Sequence, residues 1–165
     1  MVRLADRGAF TTIREHSTLC ALDMDVFKIE QFEKETGKKF PKFYTLGKEE
    51  CDALRRQFCI KMQLAELNVS VFDFYERKGS FVEKYNALDD GFSVSGLFAR
   101  LKAAADVVCI CWDNFGTIDR MGLRDFSRHF DDIWFPAADN IIVFPQDMSF
   151  MVMIRHDGAV YFGRF

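Results

Sequence analysis

The C-terminal stretch Asn140–Phe165, NIIVFPQDMSFMVMIRHDGAVYFGRF, carries the clearest strand pattern in this 165-residue chain. A β-branched and aromatic run at 140–144 ends before a proline, which cannot donate a hydrogen bond to a sheet. Two further apolar runs, Ser149–His156 and Ala159–Phe165, flank Asp157-Gly158, a pair that favours a two-residue type I′ turn. The stretch therefore predicts three strands, of which the last two form a hairpin.

A two-residue turn would fix the pairing within this hairpin. It predicts that Ile154 lies opposite Tyr161 on one face and Met153 opposite Phe162 on the other. Both faces are mostly apolar, whereas a hairpin with one face in water alternates apolar and polar residues. We therefore expect helices to cover one face, and helices or a partner protein to cover the other.

Upstream of the hairpin, the continuous apolar run Val107–Trp112 predicts a buried central strand. The chain as a whole predicts a single α+β domain over residues 1–165, with an antiparallel or mixed sheet packed by N-terminal helices. The pattern leaves Val69–Leu88 undecided between strand and helix and Met1–Leu22 undecided between a short helix and a loop. The remaining segments predict helices over 25–37, 47–67, 93–105 and 121–130, the last ending at Asp131-Asp132, and a polar turn over 113–122.

Composition narrows the class of protein. A net charge of −3 and a pI near 5.6 argue against a protein that grips nucleic-acid phosphates, and 19 Phe predict a phenylalanine-rich core. No segment approaches the roughly 20 apolar residues of a membrane span.

The odd number of cysteines, five, with no C-x-x-C pair and no secretory signal, predicts free thiols in a cytoplasmic protein. Neither metal-ligand spacing nor a glycine-rich phosphate loop occurs, so the sequence predicts no metal and no cofactor.

Aspartates are concentrated in the turns of the second half of the chain. Turn formation explains aspartate at most such positions, but several could also converge on one edge and attract a basic protein such as a nuclease. Tryptophan at such a site serves as an interface anchor as readily as a core residue. The residues predicted to bind a protein partner on this basis are Asp131, Asp132, Trp134, Asp139 and Asp147.

Two other functions stay open at this point. If folding brought Cys111 and His129 together, they would form the nucleophile and base of a small enzyme, and the two side chains would have to lie within hydrogen-bond reach. Alternatively, the chain could be a regulatory or assembly subunit whose apolar hairpin is completed by another chain. We predict that the chain is a non-enzymatic binding protein, in preference to these two alternatives.

At Phe32-Glu33, Gly37, Phe40-Pro41 and Tyr44 the chain resembles the N-terminal signature of the SUKH superfamily. Its C-terminal part, from Ile133-Trp134-Phe135-Pro136 to the final Asp-Gly hairpin, is similar to the ends of small bacterial proteins of the same kind. That superfamily has an α+β fold and includes many bacterial immunity proteins, which neutralise a cognate toxin by binding it. The resemblance implies that this chain is such an immunity protein.

Overall fold

The computed structural model describes residues 24, 26–136 and 138–165, so the prediction for Met1–Leu22 lies outside the described residues. The described residues form helices and one antiparallel sheet, and this confirms the predicted α+β class. The elements in chain order are α1 (Val26–Thr36), β1 (Phe43–Thr45), α2 (Lys48–Lys61), α3 (Val71–Lys78), β2 (Ser80–Asn86), α4 (Val94–Arg100), β3 (Val107–Cys111), β4 (Ile118–Gly122), α5 (Leu123–Arg128), α6 (Phe130–Ile133), β5 (Ile141–Phe144), β6 (Phe150–Ile154) and β7 (Ala159–Arg164). The strands lie in the order β1-β4-β3-β5-β6-β7-β2.

Both faces of the sheet are buried at its centre, because every residue of β5 and β6 is buried while successive side chains point to opposite faces. Val143 and Val152 lie on a first face, packed with residues of α4, α5 and α6. Ile142 and Met153 lie on a second face, packed with residues of α2 and α3. The expectation that the hairpin is covered on both sides is confirmed, and helices of the same chain cover both.

The predicted hairpin register is wrong by one residue. Ile154 pairs with Val160 and Met153 with Tyr161, because the loop has three residues rather than two. Arg155 exchanges backbone hydrogen bonds with Ala159 and Gly158, and Gly158 adopts φ +83°. A three-residue loop of this kind ends in a left-handed residue that forms a bulge, which is the role Gly158 takes here.

Replacing Gly158 with Ala should lower the free energy of unfolding by about 2 to 3 kcal/mol. A Cβ at this position would carry the strain of positive φ and would lie 1.9 Å from Oδ1 of Asn86. The matched control is Gly91→Ala, since Gly91 has φ +81° but nothing within 4 Å of the added Cβ. Urea unfolding should show a clearly smaller loss for the control, and equal losses would show that the contact with Asn86 is unimportant.

Two further segments differ from their predictions, and a third is one that the sequence left undecided. The undecided region 69–88 contains both a helix and a strand, α3 and β2. Strand β4 occupies part of the predicted turn 113–122, and Asp131-Asp132 lie within α6 instead of ending a helix. β4 was not predicted because its second residue, Asp119, interrupts the apolar pattern. Asp119 is fully buried and accepts hydrogen bonds from the Thr45 hydroxyl and the Trp112 indole.

Candidate protein-binding surface

Several connecting segments meet at one end of the sheet. The antiparallel register pairs Cys111 with Ile142, so the segment after β3 and the segment before β5 share this end. The β6–β7 turn lies there too, and so does the segment after β2, because Asn86 pairs with Ala159. We call this end the rim; among the described residues it consists of 86–92, 112–117, 134–136, 138–140 and 155–158.

Acidic side chains reach the rim from separate parts of the chain. Asp89, Asp90 and Asp113 are exposed in its loops. The exposed Asp131 lies on α6, which adjoins the rim because the ring of Phe130 packs against Phe92 with 5.2 Å between centroids. No lysine or arginine among the described residues forms an ion pair with any of these four aspartates. The rim therefore carries negative charge that no described lysine or arginine compensates through an ion pair.

Asp132 and Asp139 also lie at this end, but both have partners. The Asp132 carboxylate lies 3.3 Å from Nδ1 of His129. Asp139 forms an ion pair with Lys28 and accepts a hydrogen bond from the backbone N–H of Phe135. Asp139 is thus engaged in holding the rim together.

Lys28, only 5% exposed, is the buried cation that Asp139 compensates. Its ammonium group also donates to the carbonyl of Ile133 over 2.9 Å and lies 4.2 Å from the ring centre of Trp112 and 4.8 Å from that of Phe135. These contacts join α1 to the segment that leads into β5. Cations are attracted to aromatic faces, so these contacts help to compensate the positive charge of a lysine that is almost inaccessible to water.

Trp134 is buried beneath the surface of the rim, and Asp147 lies outside the rim. Trp134 is 2% exposed, stacks on Phe130 with 5.1 Å between ring centroids, and donates its indole N–H to the carbonyl of Asp139. Asp147 is exposed in the β5–β6 turn at the opposite end of the sheet, where hydrogen bonds from Ser149 lower its pKa. The five residues named from the sequence therefore do not form one surface, and partner binding by Asp131 and Asp132 stays a prediction.

An aromatic side chain adjoins the acidic rim. Phe27, at the start of α1, is 61% exposed and its ring packs edge-on against Phe135, with 6.4 Å between centroids. Val26 beside it is 45% exposed. Sequence reasoning did not select Phe27, and it counted Asp89, Asp90 and Asp113 among the turn aspartates without including them in the five chosen residues. The signal that would have found these three aspartates is the strand order, which brings distant segments to one end.

The Cys111–His129 pair of the enzyme hypothesis is not formed. Cys111 is fully buried within the second-face core, where its thiol donates to the carbonyl of Asp113. His129 instead packs against Phe32 and Asp132, beside the helices of the first face. Two groups separated by the sheet cannot exchange a proton directly. In addition, among the described residues no group of three or more His, Cys, Asp or Glu side chains is placed to hold a metal ion.

The buried thiols should be unreactive in the folded protein. Burial raises the pKa of Cys109 to about 11 and that of Cys111 to about 12. The thiolate is the reactive form, so at pH 8 both should react with a disulfide reagent roughly a hundredfold or more slowly than after denaturation. Mass spectrometry of the labelled peptides would measure this, and rapid labelling of Cys111 in the folded protein would contradict the buried position.

Comparison of the chain with protein-family models, with curated proteins and with solved structures gives no match in any of the three. Over the described part of the chain, none of the helices has the length and apolar character needed to span a membrane.

Proposed function

We propose that this chain is a non-enzymatic, cytoplasmic immunity protein that neutralises a basic toxin by binding it at the acidic rim. The observation that carries the proposal is that Asp89, Asp90, Asp113 and Asp131 share one end of the sheet without a lysine or arginine partner among the described residues. Uncompensated like charges repel one another, so they slightly lower the stability of the isolated protein. The same charges accelerate association with a basic surface and select against acidic partners.

The aromatic side chain beside the rim supports the same function. Protein interfaces combine a buried aromatic anchor with a surrounding ring of polar contacts. Phe27 offers an exposed ring next to Phe135, and Asp131 lies on α6, which contacts α1. A partner that covers Phe27 would bring its basic residues within reach of the aspartates.

The test is to capture the partner with the tagged chain from its source cells and then measure the affinity of the purified pair. In the rim variant, Asp89, Asp90 and Asp131 are each replaced by Asn; Asp113 is kept because its carboxylate binds the N–H groups of Gly116 and Thr117. The control variant removes the same charge away from the rim, with Glu35→Gln, Glu66→Gln and Asp147→Asn.

We expect the wild-type chain to capture a basic protein, and the rim variant to bind it roughly thirtyfold or more weakly at low salt. The affinity of the control variant should stay within about threefold, and the difference between the variants should shrink as the salt concentration rises. Wild-type affinity in the rim variant, or capture of no basic protein by the wild-type chain, would contradict the proposal.

A further inference from the structure

A cleft on the first face of the fold combines hydroxyl groups with arginines. It lies between α4, α5 and the segment before β3, and its volume is about 430 Å³. That volume falls within the roughly 300–1,000 Å³ of small-molecule sites. The cleft is separate from the acidic rim, so the inference below does not depend on the proposed function.

Three serine hydroxyls meet in this cleft. The Oγ atom of Ser127 lies 2.7 Å from that of Ser95 and 3.2 Å from that of Ser93. Backbone N–H groups fix two of them, since Ser95 donates to Oγ of Ser127 and Gly96 donates to Oγ of Ser93. Hydroxyl hydrogens rotate, so the three groups can redirect their donors toward an incoming acceptor.

Two arginines of α5, Arg124 and Arg128, line the same cleft. They are four residues apart, which places them on the same side of the helix, and both are exposed. Neither forms an ion pair with any carboxylate among the described residues. Like charges at this spacing destabilise a helix by a few tenths of a kcal/mol, and an anion bound between them would remove that repulsion.

We propose that this cleft binds the phosphate group of a small ligand. The planar guanidinium groups match the oxygens of phosphate and can each donate two hydrogen bonds to it. The serine hydroxyls supply further donors, and Ala105 and Leu123 line the remaining space, where they would contact a carbon skeleton. Asp106 also lines the cleft. Because its carboxylate repels negative charge, it favours a ligand whose negative charge lies on the arginine side of the cleft.

Calorimetric titration of the full chain with inorganic phosphate and with phosphoserine, at constant ionic strength, tests this proposal. Saturable binding should weaken at least tenfold when Arg124 and Arg128 are both replaced by Gln. Replacing both with Lys should give an intermediate loss, because lysine keeps the charge but loses the paired donors. The matched control is Arg56→Gln with Arg77→Gln, two exposed arginines on helices of the second face, and it should change the affinity less than twofold.

Tighter binding of phosphoserine than of phosphate would identify a phosphate ester as the ligand, and equal binding would identify free phosphate. Circular dichroism of each variant checks that the fold is retained. The proposal is overturned if neither probe binds saturably, or if the Gln variant binds as well as the wild-type chain.

Discussion

Replacing Asp139 with Ala is expected to lower the free energy of unfolding by about 3 to 5 kcal/mol. The change would leave the ammonium group of Lys28 buried without its counter-ion and would also remove the acceptor for the N–H of Phe135. Breaking a buried ion pair costs more than the pair contributes, because the remaining charge stays away from water. Urea unfolding followed by circular dichroism would measure the loss.

Two further variants separate the charge from the hydrogen bond. Asp139→Asn keeps an oxygen that can accept from Phe135 but removes the charge, so its loss should be intermediate. Adding Lys28→Met to Asp139→Ala should recover part of the stability, because no buried cation then remains. Losses that simply add in the double variant would show that Lys28 and Asp139 do not interact.

Replacing Trp134 with Ala is expected to lower the free energy of unfolding by about 3 to 5 kcal/mol, as for other large buried aromatic residues. The indole stacks on Phe130 and its N–H binds the carbonyl of Asp139, so the change leaves both a cavity and an unsatisfied acceptor. Trp134→Phe fills most of the space and loses mainly the hydrogen bond, so it should cost less. Chemical denaturation of the three proteins gives the comparison.

The Trp134 variants also distinguish a core residue from a binding residue. A core role predicts that partner binding weakens only as far as the fold is lost. Unchanged stability together with weakened binding in the Ala variant would instead make Trp134 a contact residue, against its buried position.

Local patterns predicted much of the fold. The apolar runs of β5 and β6, the continuous apolar run of β3, and the Gly37 stop after α1 are all found, since each is decided by neighbouring residues. Turn length was harder to predict, because Asp157-Gly158 suits both a two-residue turn and the end of a three-residue loop. Strand β4 was missed because its buried Asp119 breaks the apolar pattern, and the side chains that satisfy it come from β1 and from the residue after β3.

The candidate site depended more on long-range contacts. Asp139 could not be recognised as structural from the sequence, because its partner Lys28 is 111 positions away. Likewise, only the strand order brings Asp89, Asp90 and Asp113 to the end that Asp131 occupies. The sequence indicated aspartates as a class but could not separate those that bind within the fold from those that it leaves unpaired.

Hydrogen exchange of the chain, alone and in complex with its captured partner, tests the central claim most directly. Binding at the acidic rim predicts slower exchange in the rim segments and in the adjoining α6, with no change in the β5–β6 turn around Asp147. Protection confined to that turn, or to the outer surfaces of α2 and α3, would contradict the claim that the acidic rim is the binding surface.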